Sequence, residues 1–192
     1  MTLHTHFEAL YAADEDPWDV RGTWYEQRKR ALLLASLGRA RYRSAFEPGC
    51  GNGEMSAALA QRCDSLLACD GAGSALAAAR RRLQGQAGGA VRIEQRSLPA
   101  QWPVDERFDL IVVSELAYYF DAAALAAMLA QACANLDQGG ELVMCHYLHD
   151  FDDRVGGTRA AHALADRTPG LVRSLHHLDR DFLLEAWTRR AA

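Results

Sequence analysis

The sequence has few of the features that mark membrane, secreted or nucleic-acid-binding proteins. None of its apolar runs reaches the ~18 consecutive residues that a membrane-spanning helix needs. Its N-terminus has no basic region followed by an apolar stretch, which is the pattern of a secretory signal. With 21 Lys and Arg against 25 Asp and Glu, the formal net charge is −4, so no basic excess is available for a phosphate backbone. We therefore expect a cytoplasmic protein that binds neither membranes nor nucleic acids.

Cysteines and metal-binding patterns are also scarce. The five cysteines are scattered and form no Cys-x-x-Cys pair, which favours buried free thiols in a reducing compartment over a disulfide framework. No P-loop, no Gly-x-Ser-x-Gly elbow and no zinc-ligand spacing is present. His149, Asp150, Asp152 and Asp153 have metal-like residue types, but they lack a tight ligand pattern and we interpret them as part of a solvated loop. No metal is expected.

What the sequence does contain is a regular alternation of apolar strands and amphipathic helices, in a length of 192 residues that suits one α/β domain. The near-continuous apolar run at 108–113 is typical of a central parallel strand, and the whole alternation implies right-handed βαβ units. Two final segments predict a closing antiparallel hairpin. The predicted strands are 44–47, 66–69, 91–95, 108–113, 142–146, 171–177 and 182–188; the predicted helices are 7–13, 24–37, 53–62, 74–83 with Ser74 as N-cap, 121–135 and 159–165.

The strongest functional signal is the segment FEPGCGNG at 46–53, between the first strand and the next helix. Gly49, Gly51 and Gly53 allow the backbone to turn tightly and to approach a ligand closely. The alternative is a glycine-rich connection without a ligand. A dinucleotide fingerprint needs glycine where Glu54 stands, and a carboxylate opening the helix would repel a pyrophosphate. The loop therefore favours a ligand without phosphate over a nicotinamide dinucleotide.

A second signal ends the second strand, LLACD at 66–70. Asp70 comes 23 residues after Glu47 and lies at the edge of an open α/β sheet where ligands bind. A carboxylate there can accept both hydroxyls of a ribose. The alternative is a helix cap or turn residue, and the glycine loop ahead of Asp70 favours ribose binding.

These segments together resemble class I S-adenosylmethionine-dependent methyltransferases. The glycine loop is similar to their ExGxGxG motif, and Asp70 to their ribose-binding acid. FDLIVVSE at 108–115 resembles their fourth-strand motif, and LDQGGELV at 136–143 resembles their LxPGGxLV turn, with Gln138 in place of proline. The resemblance implies an α/β, Rossmann-like fold with a seven-stranded, mostly parallel sheet, helices on both faces and a closing antiparallel hairpin.

The resemblance also implies the domain organisation and the cofactor. It predicts a single methyltransferase domain over 1–192, with an N-terminal helical lid (1–40), a cofactor-binding core (44–146) and an acceptor-side loop and closing hairpin (147–192). It implies S-adenosylmethionine as cofactor and S-adenosylhomocysteine as product. The cofactor-binding residues that it implies are Trp18, Tyr25, Arg28, Glu47, Gly49, Gly51, Gly53, Asp70, Gly71, Ser97, Leu98 and Ser114.

Three of these assignments leave alternatives open. Arg30 is an equal candidate to Arg28 for binding the methionyl carboxylate. Trp18 and Tyr25 either cover the sulfonium, a cation that aromatic faces attract, or only pack the N-terminal helix onto the domain. Ser97 stands where the family usually has an acid that accepts from the adenine amino group, and its hydroxyl can still accept one hydrogen bond.

A narrower resemblance is to the nodulation-protein-S-like branch of these enzymes. Its namesake N-methylates the free amine of a deacetylated chitooligosaccharide, but one branch can hold many substrates. We expect methyl transfer to a small-molecule acceptor, first of all an amine, by a monomer or homodimer; the alternatives are O-methylation and a cofactor-binding subunit without activity. The segments that carry this resemblance are DPW at 16–18, WYEQRKR at 24–30, SELAYY at 114–119, CH at 145–146 and DFLLEAW at 181–187.

Three residues near the ends of the fourth and fifth strands are the predicted catalytic groups. His146 ends the fifth strand and is expected to accept a proton from the acceptor or to orient it. Glu115 is expected to stabilise the positive charge that develops on the acceptor nitrogen. Tyr119 follows the same strand, where the acceptor is expected. The alternative for His146 is that it only packs beneath the loop 148–170.

Overall fold

The computed structural model describes residues 3–190, and its seven strands form one sheet in the order β3-β2-β1-β4-β5-β7-β6. The predicted fold class is thereby confirmed. Among the described helices, none combines the length and apolarity that a bilayer crossing requires. The strands are β1 (Tyr42–Pro48), β2 (Cys63–Asp70), β3 (Ala90–Gln95), β4 (Phe108–Ser114), β5 (Leu136–Tyr147), β6 (Leu171–Leu178) and β7 (Phe182–Arg189). The helices are α1 (Leu3–Ala13), α2 (Trp24–Ser36), α3 (Glu54–Ala60), α4 (Gly73–Leu83), α5 (Ala122–Asn135) and α6 (Thr158–Asp166), with a 3₁₀ turn at Ala117–Tyr119.

The chain divides into two compact units, Met1–Ser97 and Leu98–Ala192. In the first unit β1, β2 and β3 are parallel, and Pro48 pairs with Cys69, which pairs in turn with Glu94. The carboxyl ends of these strands therefore meet at one edge. The glycine loop follows β1 at that edge, and Asp70 ends β2 beside it.

The second unit combines parallel and antiparallel pairing. β4 and β5 are parallel, with Ser114 opposite Cys145, whereas β7 is antiparallel to both β5 and β6. This register places the turn that follows β4 next to His146. Trp187 and Phe182 are completely buried in the core of this unit.

Two local predictions need correction. Ser74 is not the N-cap of α4, because the helix begins at Gly73 and Ala72 is its cap residue. The backbone N–H and hydroxyl of Ser74 instead donate to the carboxylate of Glu8 on α1. The fifth strand begins earlier than predicted, at Leu136, since the irregular segment before Glu141 also pairs with β4.

Candidate active site

The glycine loop is bound to the end of β2. The backbone N–H groups of Gly49 and Cys50 donate to the Cys69 carbonyl at 2.7 and 2.9 Å. Gly51 and Gly53 have φ values of 52° and 83°, in the left-handed region that favours glycine. A side chain at Gly53 would also come within 3.0 Å of Ala79 on α4. The loop thus needs its glycines both for its backbone conformation and for close packing.

Asp70 links this loop to the start of α4. Its Oδ2 accepts from the backbone N–H of Gly51 at 3.0 Å, and its Oδ1 accepts from Ala72 at 2.9 Å. Burial raises the pKa of the carboxyl, while these backbone hydrogen bonds oppose the shift. Each carboxylate oxygen has a second lone pair, so the group can fulfil its turn-forming role and still accept ligand hydroxyls. Both sequence interpretations of Asp70 are therefore compatible.

Glu47 lies at the end of β1 with 3% of its surface exposed. Its carboxyl accepts a hydrogen bond from the Ser56 hydroxyl. Burial raises its pKa to about 8; the Ser56 bond lowers it and the charge of Asp70 raises it further. The folded chain therefore holds a protonated Glu47 at neutral pH, beside the ionisable Asp70.

The surroundings of Glu54 weaken the argument that its carboxylate would repel a dinucleotide. Its Oε1 accepts from Nε of Arg21 at 2.7 Å and from Nε of Arg82 at 2.6 Å. Burial raises the pKa of Glu54, but the two arginines outweigh it and the net shift is downward. Because two cations compensate this carboxylate, its repulsion of a phosphate is weak, and the argument against a dinucleotide rests on the missing third glycine.

The N-terminal segment lies against the glycine loop. The Tyr11 hydroxyl occupies the space that a side chain at Gly51 would need. Trp18, predicted as a lid aromatic, packs against Tyr11 and Phe7 with ring centroids 5.6 and 6.1 Å apart. Tyr11 is a contact that the sequence reasoning missed; the only available signal was the four-residue spacing of Phe7 and Tyr11 along α1.

The basic residues of α2 differ in their engagement. Arg30 donates to the Val20 carbonyl at 3.1 Å, so it stabilises the turn before α2. Lys29 is buried, bonds to Glu26 at 2.8 Å and lies over the Tyr25 ring at 4.8 Å. Arg28 and Arg30 both stay candidates for the methionyl carboxylate.

The remaining residues that the sequence predicts to bind the cofactor follow or end β2, β3 and β4. A side chain at Gly71 would contact His4 at 3.4 Å. Ser97 is exposed, and the neighbouring Arg96 donates its backbone N–H to the Asp70 carbonyl at 3.0 Å. Leu98 begins the second unit, and Ser114 ends β4. Their contacts with a cofactor stay predictions.

In the second unit, Glu115 begins a sharp turn after β4, with φ of 54°. Its backbone N–H donates to the Cys145 carbonyl at 2.9 Å, which fixes the turn to β5. Its Oε2 accepts from the Tyr118 hydroxyl and from the Tyr147 backbone N–H. These bonds hold a carboxylate at the end of the strand.

Three aromatic rings pack against one another at this carboxylate turn. The Tyr118 ring lies 4.8 Å from Tyr119 and 5.0 Å from Phe151, and Tyr119 lies 5.8 Å from Phe151. Burial raises the pKa of the Tyr119 hydroxyl, and the carboxylates of Glu115 and Asp153 raise it further. Phe151 and Asp153 come from the loop that we interpret from its sequence as solvated, and no periodic pattern in the sequence indicates their position.

His146 is placed differently from the prediction. Its ring is completely buried, its Nε2 accepts from the Ala117 backbone N–H at 3.0 Å, and its Nδ1 meets Nε2 of His162 at 3.0 Å. A proton-accepting role needs an accessible lone pair, and the structure uses the Nε2 lone pair for the backbone. His162, which the sequence analysis did not single out, lies 2.8 Å from Glu185.

The acidic segment near position 150 is partly bound to its neighbours. His149 lies 3.0 Å from Asp181, and Arg154 lies 3.1 Å from Asp150. Within residues 3–190, no three His, Cys, Asp or Glu side chains form a metal-binding group.

Sequence comparison identifies related proteins. Residues 45–140 match the methyltransferase domain family. Nodulation protein S of Rhizobium tropici is 33% identical over 147 residues, which cover 74% of this chain and 60% of that protein. Nodulation protein S of Sinorhizobium fredii is 31% identical over 134 residues, 68% of this chain and 60% of that protein. The chain thus matches about 60% of the length of these curated relatives.

Solved structures show the same architecture. A putative methyltransferase from Pseudomonas syringae is 46% identical, with a TM-score of 0.76 over 87% of this chain and 100% of that chain. N-methyltransferase NodS from Bradyrhizobium japonicum WM9, in complex with S-adenosyl-l-homocysteine, has a TM-score of 0.84 over 97% of both chains at 24% identity. At this identity, the similarity to NodS shows a shared fold.

Proposed function

Because the chain belongs to the methyltransferase domain family, we propose that it transfers a methyl group from S-adenosylmethionine to the amine nitrogen of a small-molecule acceptor. The observation that carries the amine assignment is the carboxylate turn of the second unit, where the Tyr118 hydroxyl donates to Glu115 and the Tyr118 ring packs against Tyr119 and Phe151. The nodulation protein S relatives and the NodS N-methyltransferase support the same assignment.

The donor set of the first unit fits this cofactor. Asp70 offers oxygen lone pairs at the end of β2, as two vicinal ribose hydroxyls require. At Gly51 the Tyr11 hydroxyl lies against the backbone where a side chain would stand, so Tyr11 is a further polar group beside the loop. Glu47 lies beside Asp70, and a cationic ligand group near them would favour its ionised form. We assign the cofactor residues as the sequence predicts them, with Arg28 and Arg30 as equal candidates for the methionyl carboxylate.

The acceptor is proposed to bind at the turn around Glu115. Aromatic faces attract cations, and a carboxylate strengthens that attraction. The effect of Glu115 and Asp153 on the Tyr119 hydroxyl indicates a negative environment there. An amine that gains positive charge as it is methylated is favoured in such surroundings.

The chemistry needs little from the protein beyond placement. When bound, S-adenosylmethionine would supply the methyl group: the amine nitrogen would bond to the methyl carbon as the carbon–sulfur bond breaks, S-adenosylhomocysteine would leave, and the methylated nitrogen would release its extra proton to water. Glu115 and Tyr119 orient the acceptor and stabilise the developing charge, and orientation alone accounts for much of such a rate enhancement. Nε2 of His146 already accepts a hydrogen bond from the Ala117 backbone N–H. We therefore assign His146 a positioning role rather than the role of proton acceptor.

The test compares matched acceptors that differ only in the reacting atom. Methyl transfer from radiolabelled S-adenosylmethionine is measured for glucosamine and glucose, and for other amine and alcohol pairs. We expect turnover with amines, and a loss on the order of a hundredfold for Glu115→Gln. Transfer to the alcohols alone would establish O-methylation, and cofactor binding without turnover across the panel would indicate a non-catalytic subunit.

A further inference from the structure

A buried chain of hydrogen bonds leads from the closing hairpin to the turn after β4. Oε2 of Glu185 on β7 lies 2.8 Å from Nδ1 of His162 on α6. Nε2 of His162 lies 3.0 Å from Nδ1 of His146, whose Nε2 lies 3.0 Å from the Ala117 nitrogen. The exposed fractions of Glu185, His162 and His146 are 2%, 1% and 0%, so water has little access to these bonds.

The two ends of this chain fix where its protons lie. A backbone N–H can only donate, so Nε2 of His146 carries no proton. At the other end, burial raises the pKa of Glu185, but hydrogen bonds from His162, His176 and Arg173 lower it to about 2. The ionised carboxylate can only accept. His162 therefore donates from Nδ1 and accepts at Nε2, and the proton of His146 lies on Nδ1.

We propose that His162 and Glu185 are positioning residues: they hold His146 in the tautomer that binds Ala117, and a proton added to the histidine pair breaks the connection between the closing hairpin and the turn at 115–119. The reason is that every hydrogen bond in this chain needs one donor and one acceptor. One more proton on either imidazole sets two donors face to face, either between the rings or between His146 and Ala117.

The charged and titratable groups around the pair come from three elements, β6, β7 and α6. Arg173 on β6 lies 2.7 Å from Glu185 and 3.0 Å from Asp166 on α6. His176 on β6 is exposed and also binds Glu185. Asp166 accepts from the Trp187 indole at 2.8 Å. The groups near the pair therefore carry charges of both signs.

The connection matters for function because the same turn carries Glu115, Tyr118 and Tyr119. The Tyr118 ring also lies 5.3 Å from the His146 ring. Loss of the Ala117 bond frees the backbone that places the acceptor-binding side chains. This step rests on the proposed function, whereas the arrangement of protons does not depend on which substrate is used.

The first test is nuclear magnetic resonance of the full chain labelled at histidine nitrogens, which needs no substrate. At pH 8 we expect both His146 and His162 to carry their proton on Nδ1. On acidification we expect the exchange protection factor of the Ala117 amide to fall at least tenfold, at the pH where the pair titrates. A proton on Nε2 of His146 at pH 8, or unchanged Ala117 protection through the titration, would overturn the proposal.

Variants separate positioning from space filling. His162→Gln keeps an acceptor near Nε2 and is expected to preserve Ala117 protection at pH 8, whereas His162→Leu is expected to lose it. If His162→Leu does not fold, Glu185→Gln serves instead: its amide can accept or donate, so it permits both proton directions and protection falls. His177→Gln on β6 is the control and leaves protection unchanged. Equal protection in the wild type, Glu185→Gln and any folded His162→Leu contradicts the proposal.

S-adenosylhomocysteine affinity, measured by calorimetry, shows whether the cofactor site survives these changes. We expect this affinity to stay within twofold of wild type in every folded His162 and Glu185 variant, since neither residue belongs to the proposed cofactor site. A chain that binds no S-adenosylhomocysteine but shows the predicted tautomers would refute the proposed function and leave the arrangement of protons intact.

Discussion

At the scale of single residues, Asp70 combines a structural and a ligand-binding task. If its carboxylate binds both ribose hydroxyls, Asp70→Ala removes two charge-assisted hydrogen bonds, each worth roughly 1.5–3 kcal/mol. Affinity for S-adenosylhomocysteine should then fall on the order of a hundredfold or more, as calorimetry can measure. The matched control is Asp64→Ala, an exposed residue of β2 that pairs with Arg41. Unchanged affinity in folded Asp70→Ala would remove Asp70 from the site.

Glu47 makes the stability of the ligand-free chain depend on pH. Its folded pKa of about 8 lies above the ordinary 4.5, so the folded chain binds more protons than the unfolded chain between these values. The free energy of unfolding therefore decreases as pH rises from about 4.5 to about 8. Glu47→Gln keeps an acceptor for Ser56 but removes the titration.

Urea unfolding at pH 5 and pH 8 checks this prediction. We expect the free energy of unfolding to fall less in Glu47→Gln than in wild type, by on the order of a few kcal/mol. Glu94→Gln, a partly exposed residue paired with Arg96 at 2.6 Å, should follow the wild type. Identical pH slopes for Glu47→Gln and wild type would contradict the assigned protonation.

At the scale of elements, Glu8 fastens α1 to the N-terminus of α4. Its carboxylate accepts from the backbone N–H and the hydroxyl of Ser74, and these bonds lower its pKa. Glu8→Ala should detach α1 and increase hydrogen exchange along it several-fold. Glu15→Ala breaks only an exposed pair with Arg81 and should have little effect, since such pairs contribute little. Equal exchange in both variants would mean that apolar packing alone holds α1.

Hydrophobic periodicity was enough to predict the strands, most helices and the hairpin, because each is decided by neighbours within a few residues. The same reasoning misplaced Ser74 as a cap, since its partner Glu8 is 66 residues away. The link between His146 and His162 joins two elements and leaves no local pattern. The ends of the fourth and fifth strands predicted Glu115, Tyr119 and His146 from the sequence, whereas the contact between His146 and His162 arises only because α6 packs against the sheet.

At the scale of the whole molecule, ligand binding should appear as added thermal stability. A ligand that binds only the folded chain stabilises it by RT ln(1 + [L]/Kd), about 2.7 kcal/mol at a hundredfold excess over Kd. For a chain of this length, each kcal/mol raises Tm by roughly 2–4 °C. S-adenosylhomocysteine at such a concentration should therefore raise Tm by roughly 5–10 °C.

The same measurement tests whether the glycine loop binds S-adenosylhomocysteine or a nicotinamide dinucleotide, a choice that the charge of Glu54 alone does not decide. NAD should leave Tm unchanged, because position 54 lacks the third glycine with which a dinucleotide loop lets its helix pack closely. Asp70→Ala should lose most of the shift with S-adenosylhomocysteine, whereas Asp64→Ala should keep it. If NAD raised Tm as much as S-adenosylhomocysteine does, this would contradict the interpretation that the loop binds a ligand without phosphate. A shift with S-adenosylhomocysteine that persists in Asp70→Ala would place the ribose on other residues.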